Sequence, residues 1–120
     1  MTNLTILGQE EYLLGATFRG SPSSEVLVSA IIQLIEVIGM TPDGPPDVAH
    51  YPNQSGKGGV GCQVYQKLTE SWIVGGTWPV INKTRIVVSS CKPFTRGVVI
   101  SLLEKLIGPM IPGVGGHFDY

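Results

Sequence analysis

Apolar residues recur along the chain at two different spacings, and the change between them predicts the order of the elements. Residues 12–19 form a short mixed run that is typical of a strand, and it ends in a Gly-Ser-Pro turn. Between residues 22 and 38 apolar side chains return every three or four positions, which predicts an amphipathic helix. We expect Ser21 to be its N-cap with Pro22 as first helical residue, and Gly39 to end it.

The next part of the chain reads as a long connection followed by a hairpin. Residues 40–59 are rich in Pro, Gly, Asp, Asn and Ser, with a brief strand predicted at 48–51. Apolar side chains alternate over residues 60–68, which predicts a strand with one buried face. Residues 72–78 are its predicted partner, joined to it by a turn at 69–71.

The last third of the chain predicts one more strand and a second helix. Residues 85–90 are apolar and β-branched, as in a strand. Pro93 and Thr95 introduce a helix that Gly108 and the proline after it end. Its expected apolar face comprises Val98, Val99, Leu102, Leu103, Leu106 and Ile107. The Gly-rich tail, residues 110–120, is expected at a sheet edge or a subunit contact.

This order of strand, helix, several strands and helix indicates the fold class. It predicts an α+β protein, a two-layer sandwich in which two helices cover one face of an antiparallel sheet. A length of 120 residues suits a single domain, residues 1–120, with a high surface-to-volume ratio. We therefore expect a homo-oligomer.

Charge and composition exclude several classes of partner. A net charge of -1 with 14% charged residues leaves no basic surface for nucleic acid. No apolar run approaches the roughly 18 residues of a membrane span, and no secretion signal is recognisable, so a cytoplasmic protein is expected. In that compartment Cys62 and Cys91 are expected to be free thiols.

One motif carries a specific chemical hypothesis. Glu70-Ser71 is followed by Thr77-Trp78-Pro79 and, after a predicted strand, by Cys91. This pattern resembles the self-cleavage region of the prokaryotic S-adenosylmethionine decarboxylases. The resemblance implies the same α+β sandwich, with protomers that associate so that sites form near the contact.

The resemblance also implies a cofactor made from the chain itself. In this family the backbone breaks between the Glu and the Ser, and the Ser becomes a pyruvoyl group that forms a Schiff base with the substrate amine. Ser71 would be the pyruvoyl precursor, Glu70 the new carboxyl end, and Cys91 the acid that reprotonates the substrate carbon. These three are the candidate catalytic residues.

Four positions depart from the family pattern. Trp72 and Gly76 stand where the family has histidines, and Val80 stands where it has a Glu that helps to hold substrate. Gln63 falls near the place of a Ser that assists processing. Loss of a general base lowers such a rate by about two to four decades. Slow or absent processing is therefore expected, since neither His50 nor His117 is placed by its spacing near the cleavage bond.

Substrate-binding candidates are aromatic or basic. Trp72 and Trp78 have the even spacing of residues on one face of a strand, where core packing is the commoner role and stacking on an adenine the alternative. Phe94, just beyond Cys91, has the same two interpretations. Lys57 lies in a glycine-rich loop and is a candidate partner for a substrate carboxylate.

Two other kinds of site have weak sequence support. Residues 55–61 resemble the start of a phosphate-binding loop, but Cys62 and Gln63 replace its Lys and Ser/Thr, and a strand rather than a helix follows. A flexible glycine loop is the expected role. No second His or Cys stands at ligand spacing from His117, so no metal site is predicted.

Three functions remain open at this point. The first is a pyruvoyl-dependent decarboxylase of S-adenosylmethionine or a basic amino acid. The second is a non-processing relative that binds S-adenosylmethionine or polyamine, in the role of a regulatory subunit. The third is an enzyme that cleaves S-adenosylmethionine without pyruvoyl, with Glu70 or Tyr65 as base. A cut chain would indicate the first function, and an intact chain that binds ligand would indicate the second. Product analysis would distinguish the third from the second.

Overall fold

A computed structural model of the protein describes residues 12–69, 71–112 and 118–119. Within these ranges the elements follow the predicted order. They are β1 (Tyr12–Arg19), α1 (Ser24–Ile38), β2 (Asp47–Tyr51), β3 (Gly61–Leu68), β4 (Ser71–Trp78), β5 (Lys83–Ser90), α2 (Arg96–Leu106) and β6 (Phe118–Asp119), with a 3-10 turn at Pro79–Ile81 between β4 and β5.

The strands form one antiparallel sheet in the order β2-β3-β4-β5-β1-β6, and α1 and α2 pack on one of its faces. The predicted α+β two-layer sandwich is therefore confirmed. The core lies between sheet and helices, and burying its side chains is the main stabilising term. Its fully buried larger apolar members include Phe18, Leu27, Ile31, Leu34, Leu68, Ile73, Ile86 and Leu103.

Alternation along the strands separates two faces of the sheet. In β4, Ser71, Ile73, Gly75 and Thr77 are buried toward the helices, whereas the residues between them point the other way. We call that second side the open face, because no described helix covers it. The two-residue strand β6 pairs with β1, which confirms that part of the tail lies at a sheet edge.

Helix α1 begins two residues later than predicted. Ser23, not Ser21, is the N-cap, and its Oγ accepts a hydrogen bond from the backbone N–H of Val26 at 3.3 Å. The hydroxyl of Ser21 donates instead to Oδ1 of Asn82 at 3.2 Å. The end of the helix is as predicted, since Gly39 has a φ of 82°.

Helix α2 is rotated relative to the predicted apolar face. Val98 is 51% exposed, whereas Ile100, absent from the prediction, is buried together with Val99 and Leu103. The helix begins at Arg96, and only Val99, Ile100 and Leu103 are buried. Apolar residues occur at most positions from 98 to 107, so the sequence pattern does not distinguish these three from their neighbours. Neither α1 nor α2, in the part of the chain described, is long and apolar enough to cross a membrane.

Candidate functional site

Two of the three predicted catalytic residues, Ser71 and Cys91, lie at one end of the central strands. Ser71 begins β4 and pairs with Leu68, the last residue of β3. On the other side β5 ends at Ser90, and Cys91 follows it. Because β4 and β5 are antiparallel, the start of one meets the end of the other, so the structure brings Ser71 and Cys91 to the same region. We call this region the serine end; Glu70 lies outside the described residues.

Burial limits what Ser71 can do. Its side chain points toward the helix layer and not toward the open face, and the residue is only 8% exposed. Ser90, next to it on β5, is fully buried and its hydroxyl is occupied: it donates to the carbonyl of Lys92 at 2.7 Å and accepts from the N–H of Lys92 at 3.0 Å. This second hydroxyl is therefore held by the turn.

A small cavity of about 190 Å³ adjoins the serine end. Its wall includes Cys91, which is half-buried, and Thr69, which precedes the proposed cleavage bond. The ammonium of Lys92 donates to the carbonyl of Gly39 at 2.7 Å. This carbonyl lies at the C-terminal end of α1, where the helix dipole favours a positive charge. Both cysteines are free, as predicted.

The two positions where the family pattern has processing residues lie far from Ser71. Gln63 and Gly76 are directly opposite each other on β3 and β4. Gly76 is five residues along β4 from Ser71, about 16 Å at the rise of a strand. His50, the histidine within the described ranges, lies on β2, where its Nε2 is 3.1 Å from Oγ of Ser24. No described imidazole therefore adjoins the serine.

The predicted substrate-binding residues do not form one site. Trp72 and Trp78 share a strand face, as predicted, but it is the open face, so the expectation that they pack in the core is wrong. The reason is that their neighbours Ile73 and Thr77 take the inward positions. Phe94 packs edge-to-face on Tyr12 at the serine end, with ring centroids 6.5 Å apart.

At the opposite end of the sheet, glycines and two aromatic residues surround a larger cavity. It has a volume of about 240 Å³, and we call it the glycine cavity. Its wall comprises Tyr51, Gly58, Gly59, Val60, Gly61, Cys62, Gln63, Gly76, Thr77 and Trp78. Lys57, a predicted substrate-binding residue, directly precedes this wall, so Lys57 and Trp78 belong to one region and Ser71 and Cys91 to another.

Glycine is required at two places around this cavity. Gly61 has a φ of 148°, and a Cβ there would collide with the carbonyl oxygen of Thr77. Gly58 has a φ of 91°, and a Cβ there would lie 2.6 Å from the Tyr51 ring. The sequence predicts a flexible loop for this glycine run, and the structure places residues 58–61 in the cavity wall. The tyrosine before it and the Thr-Trp pair after it were the available signal for a cavity.

A polar contact fixes the inner side of the cavity. The hydroxyl of Thr77 accepts from the backbone N–H of Cys62 at 3.0 Å and lies 3.4 Å from its Sγ. This contact joins β3 to β4 where their regular pairing stops at Gln63 and Gly76. Among the described residues, no group of three His, Cys, Asp or Glu side chains is placed to hold a metal ion.

Comparison with known proteins identifies the class of fold. No protein-family model matches the sequence, and no curated protein matches it. Among solved structures the chain is similar to the adenosylmethionine decarboxylase from Aquifex aeolicus, with a TM-score of 0.65 and 12% sequence identity. The similarity covers 84% of this chain and 82% of that one. This chain thus has an adenosylmethionine decarboxylase-like fold, which agrees with the resemblance at Ser71.

Proposed function

We propose that this chain is a non-processing relative of the adenosylmethionine decarboxylases, which stays one intact polypeptide and binds S-adenosylmethionine or a related small molecule. The observation that carries this proposal is the place of Ser71. Its hydroxyl is turned toward the helix layer, and the positions of the family's processing residues are held by Gln63 and Gly76. Neither the amide side chain of Gln63 nor the single hydrogen of Gly76 can act as a general base.

The residues present do not fit a pyruvoyl cofactor. A pyruvoyl group must expose its carbonyl to the substrate amine. In this fold Ser71 is 8% exposed and paired with Leu68, so a carbonyl at its position would face packed side chains. Cys91 is half-buried beside it and serves equally well as a small apolar residue. We therefore assign no chemical step to Ser71, Glu70 or Cys91.

Pyruvoyl-independent cleavage of S-adenosylmethionine is the second candidate. Of its two proposed bases, Tyr65 lies on the open face of β3, 39% exposed and paired with Val74. Its side chain is on the other face of the sheet from that of Ser71. Such an enzyme would act on the open face, without the serine end.

Association of protomers is part of the proposal. The middle of the open face carries Leu13, Trp72, Val74 and Val87, which are only half-buried in the single chain. A solvent-facing sheet surface is normally polar, and clustered apolar side chains there indicate a surface that is covered. We propose that a second copy of the chain packs on this face.

Incubation of the purified protein with S-adenosylmethionine tests this function. Binding by calorimetry, with no decarboxylated product and no cleavage product by mass spectrometry, is the expected result. Release of carbon dioxide by wild type, and not by Ser71→Ala, would show instead that the protein is a pyruvoyl-dependent decarboxylase. Loss of S-adenosylmethionine that depends on Tyr65 but not on Ser71 would establish the second candidate.

A further inference from the structure

We propose that Ser24 and His50 form a nucleophile and general-base pair that hydrolyses neutral esters of short-chain carboxylic acids. The pair lies on the helix side of the sheet, where the start of α1 meets the edge strand β2. This activity goes beyond the proposed function and does not depend on it, since neither residue has a role in the proposed binding of S-adenosylmethionine.

The fold brings the two residues together from distant parts of the chain. His50 of β2 pairs with Cys62 of β3, which is buried toward the helices. Because paired residues share a face of the sheet, the imidazole also lies on the helix side. Helix α1 begins at Ser24, and its other end, roughly 21 Å away along the helix axis, reaches the serine end at Gly39. The pair is therefore a separate site from Ser71.

The contact has the geometry of a base and its nucleophile. Nε2 of His50 is 3.1 Å from Oγ of Ser24, within the reach of about 2.6–3.2 Å that proton abstraction requires. In the neutral tautomer that carries its proton on Nδ1, the imidazole accepts from the O–H of Ser24. Ser24 is half-buried and His50 is exposed, so a substrate can reach both side chains.

Helix capping leaves the hydroxyl of Ser24 available. The cap is Ser23, whose Oγ accepts from the N–H of Val26. The N–H groups of Ser24 and Glu25 are in the first turn of this 15-residue helix, where backbone donors have no intrahelical acceptor. Such donors, at the positive end of the helix dipole, stabilise the negative oxygen that forms when a hydroxyl attacks a carbonyl.

The cavity beside the pair defines the class of substrate. It has a volume of about 380 Å³, and its wall comprises Ser24, Glu25, Val28, Val48 and His50. This volume is in the range of small-molecule sites, roughly 300–1,000 Å³. Val28 and Val48 offer apolar surface to a short acyl chain, whereas the carboxylate of Glu25 would repel an anionic substrate. A neutral ester with a short apolar acyl chain therefore fits.

The reaction has two balanced steps and needs only ester and water. Oγ of Ser24 bonds to the acyl carbon while its proton passes to Nε2 of His50; the bond to the alcohol oxygen breaks, and Nε2 returns the proton to that oxygen. Water then bonds to the acyl carbon and gives a proton to Nε2. The bond to Oγ breaks, and Oγ recovers the proton as the carboxylic acid leaves.

Hydrolysis of p-nitrophenyl butyrate tests the pair in wild type, Ser24→Ala, His50→Gln and Ser29→Ala. Ser29 is the matched control, an exposed serine of the same helix whose Oγ accepts from Nε2 of Gln33 at 3.2 Å. We expect Ser24→Ala and His50→Gln each to lower the rate about a hundredfold, at the lower end of what a general base contributes, and Ser29→Ala to leave it unchanged.

Two results would overturn the proposal. One is a wild-type rate no higher than that of buffer. The other is loss of the rate in His50→Gln but not in Ser24→Ala, because the imidazole would then attack the ester directly. Ser24→Ala keeps the Ser23 cap and is expected to melt at the wild-type temperature, so its loss of activity would not be a loss of folding.

Covalent labelling tests the nucleophile without turnover. A fluorophosphonate forms a phosphorus–oxygen bond to an activated serine and releases fluoride, and peptide mass mapping locates the label. We expect the label on Ser24, at least about tenfold less of it in His50→Gln, and none on Ser29. Equal labelling of Ser24 and Ser29 would show that His50 does not activate Ser24 and would overturn the proposal.

Acyl-chain preference tests the assignment of the cavity. Wild type should hydrolyse p-nitrophenyl butyrate with a kcat/KM about fourfold higher than p-nitrophenyl acetate, because two further methylene groups are partly buried. Val48→Ser, at a position that is 40% exposed, should lose most of this preference. Equal kcat/KM for the two esters in wild type would contradict the assignment. S-adenosylmethionine binding that survives Ser24→Ala would leave the proposed function intact, so the two proposals can fail separately.

Discussion

Gln63 and Gly76 face each other across β3 and β4, five residues along β4 from the serine that a processing enzyme would need them to reach. Both positions are on the open face, whereas Ser71 points to the helix layer. Replacing side chains at this pair changes the surface near Trp78, not the surroundings of Ser71. Both residues line the glycine cavity.

Restoring a histidine at this pair should not restore cleavage. In Gly76→His the new imidazole would lie on the open face and push against the Trp78 indole, whereas the hydroxyl of Ser71 would stay buried on the helix side of the sheet. We expect one uncut polypeptide by denaturing electrophoresis after prolonged incubation, for this variant and for the Gln63→Ser, Gly76→His double variant. Fragments divided at residue 70 in either variant would show that the missing imidazole, and not the burial of Ser71, prevents processing.

A buried hydroxyl at the cavity end of the sheet should matter for stability. Thr84 is fully buried, and its Oγ1 donates to the carbonyl of Gly20 at 2.7 Å. Thr84→Val removes this donor and leaves the carbonyl without that bond, which should lower the free energy of unfolding by about 1–3 kcal/mol. Urea denaturation measures it. Thr84→Ser keeps the hydroxyl and is the control; equal losses in the two variants would assign the effect to packing alone.

Two glycines should respond oppositely to the same added methyl group. A Cβ on Gly75 would lie 2.9 Å from Cδ1 of Ile86 and 3.2 Å from Cδ1 of Leu27, beneath α1. Gly75→Ala should therefore cost about 1–3 kcal/mol by overpacking. Gly97, in α2, has open space around it, and Gly97→Ala should stabilise the protein by up to about 1 kcal/mol. Thermal melts of both variants provide the comparison.

If Gly75→Ala melts no lower than wild type, the contact between α1 and the middle of the sheet must be looser than the structure shows. If Gly97→Ala is destabilising, α2 is not the regular helix described here.

Association through the open face predicts a charge-sensitive oligomer. Val74 lies between Tyr65 and Val87 on its neighbouring strands, in the middle of that face. Val74→Glu would bury an unpaired carboxylate at the contact, so we expect a monomer by light scattering where wild type is a dimer. Ile32→Glu, on an exposed position of α1, is the control. Dissociation by the Ile32 variant alone would place the contact on the helices.

The sequence predicted the elements better than it predicted the site. Period and turn residues located α1, the β3–β4 hairpin and β5, because each depends on local side-chain spacing. The sequence did not predict which face of the sheet each strand residue is on. Whether Trp72 and Trp78 turn inward depends on which side of the sheet the helices cover, and no local pattern contains this information. The prediction that Val98 is on the buried face of α2 was wrong for the same reason, because tertiary packing decides which side of α2 contacts the sheet.

The candidate site divides along the same line. Ser71 and Cys91 come together because antiparallel strands place them at one end, a consequence of topology that the motif implied. The glycine cavity was not predicted. Its wall combines Tyr51 from an edge strand with Trp78 from a central strand, and these two residues are 27 positions apart in sequence.

Intact mass under denaturing conditions tests the central claim most directly. Wild type and Ser71→Ala, purified in parallel and held for days at working temperature, should each give one species near 12.8 kDa, apart from the single oxygen that the substitution removes. That result is predicted by a buried serine without an adjacent base. Two fragments corresponding to residues 1–70 and 71–120 in wild type, absent from Ser71→Ala, would contradict it and make the chain a self-processing decarboxylase.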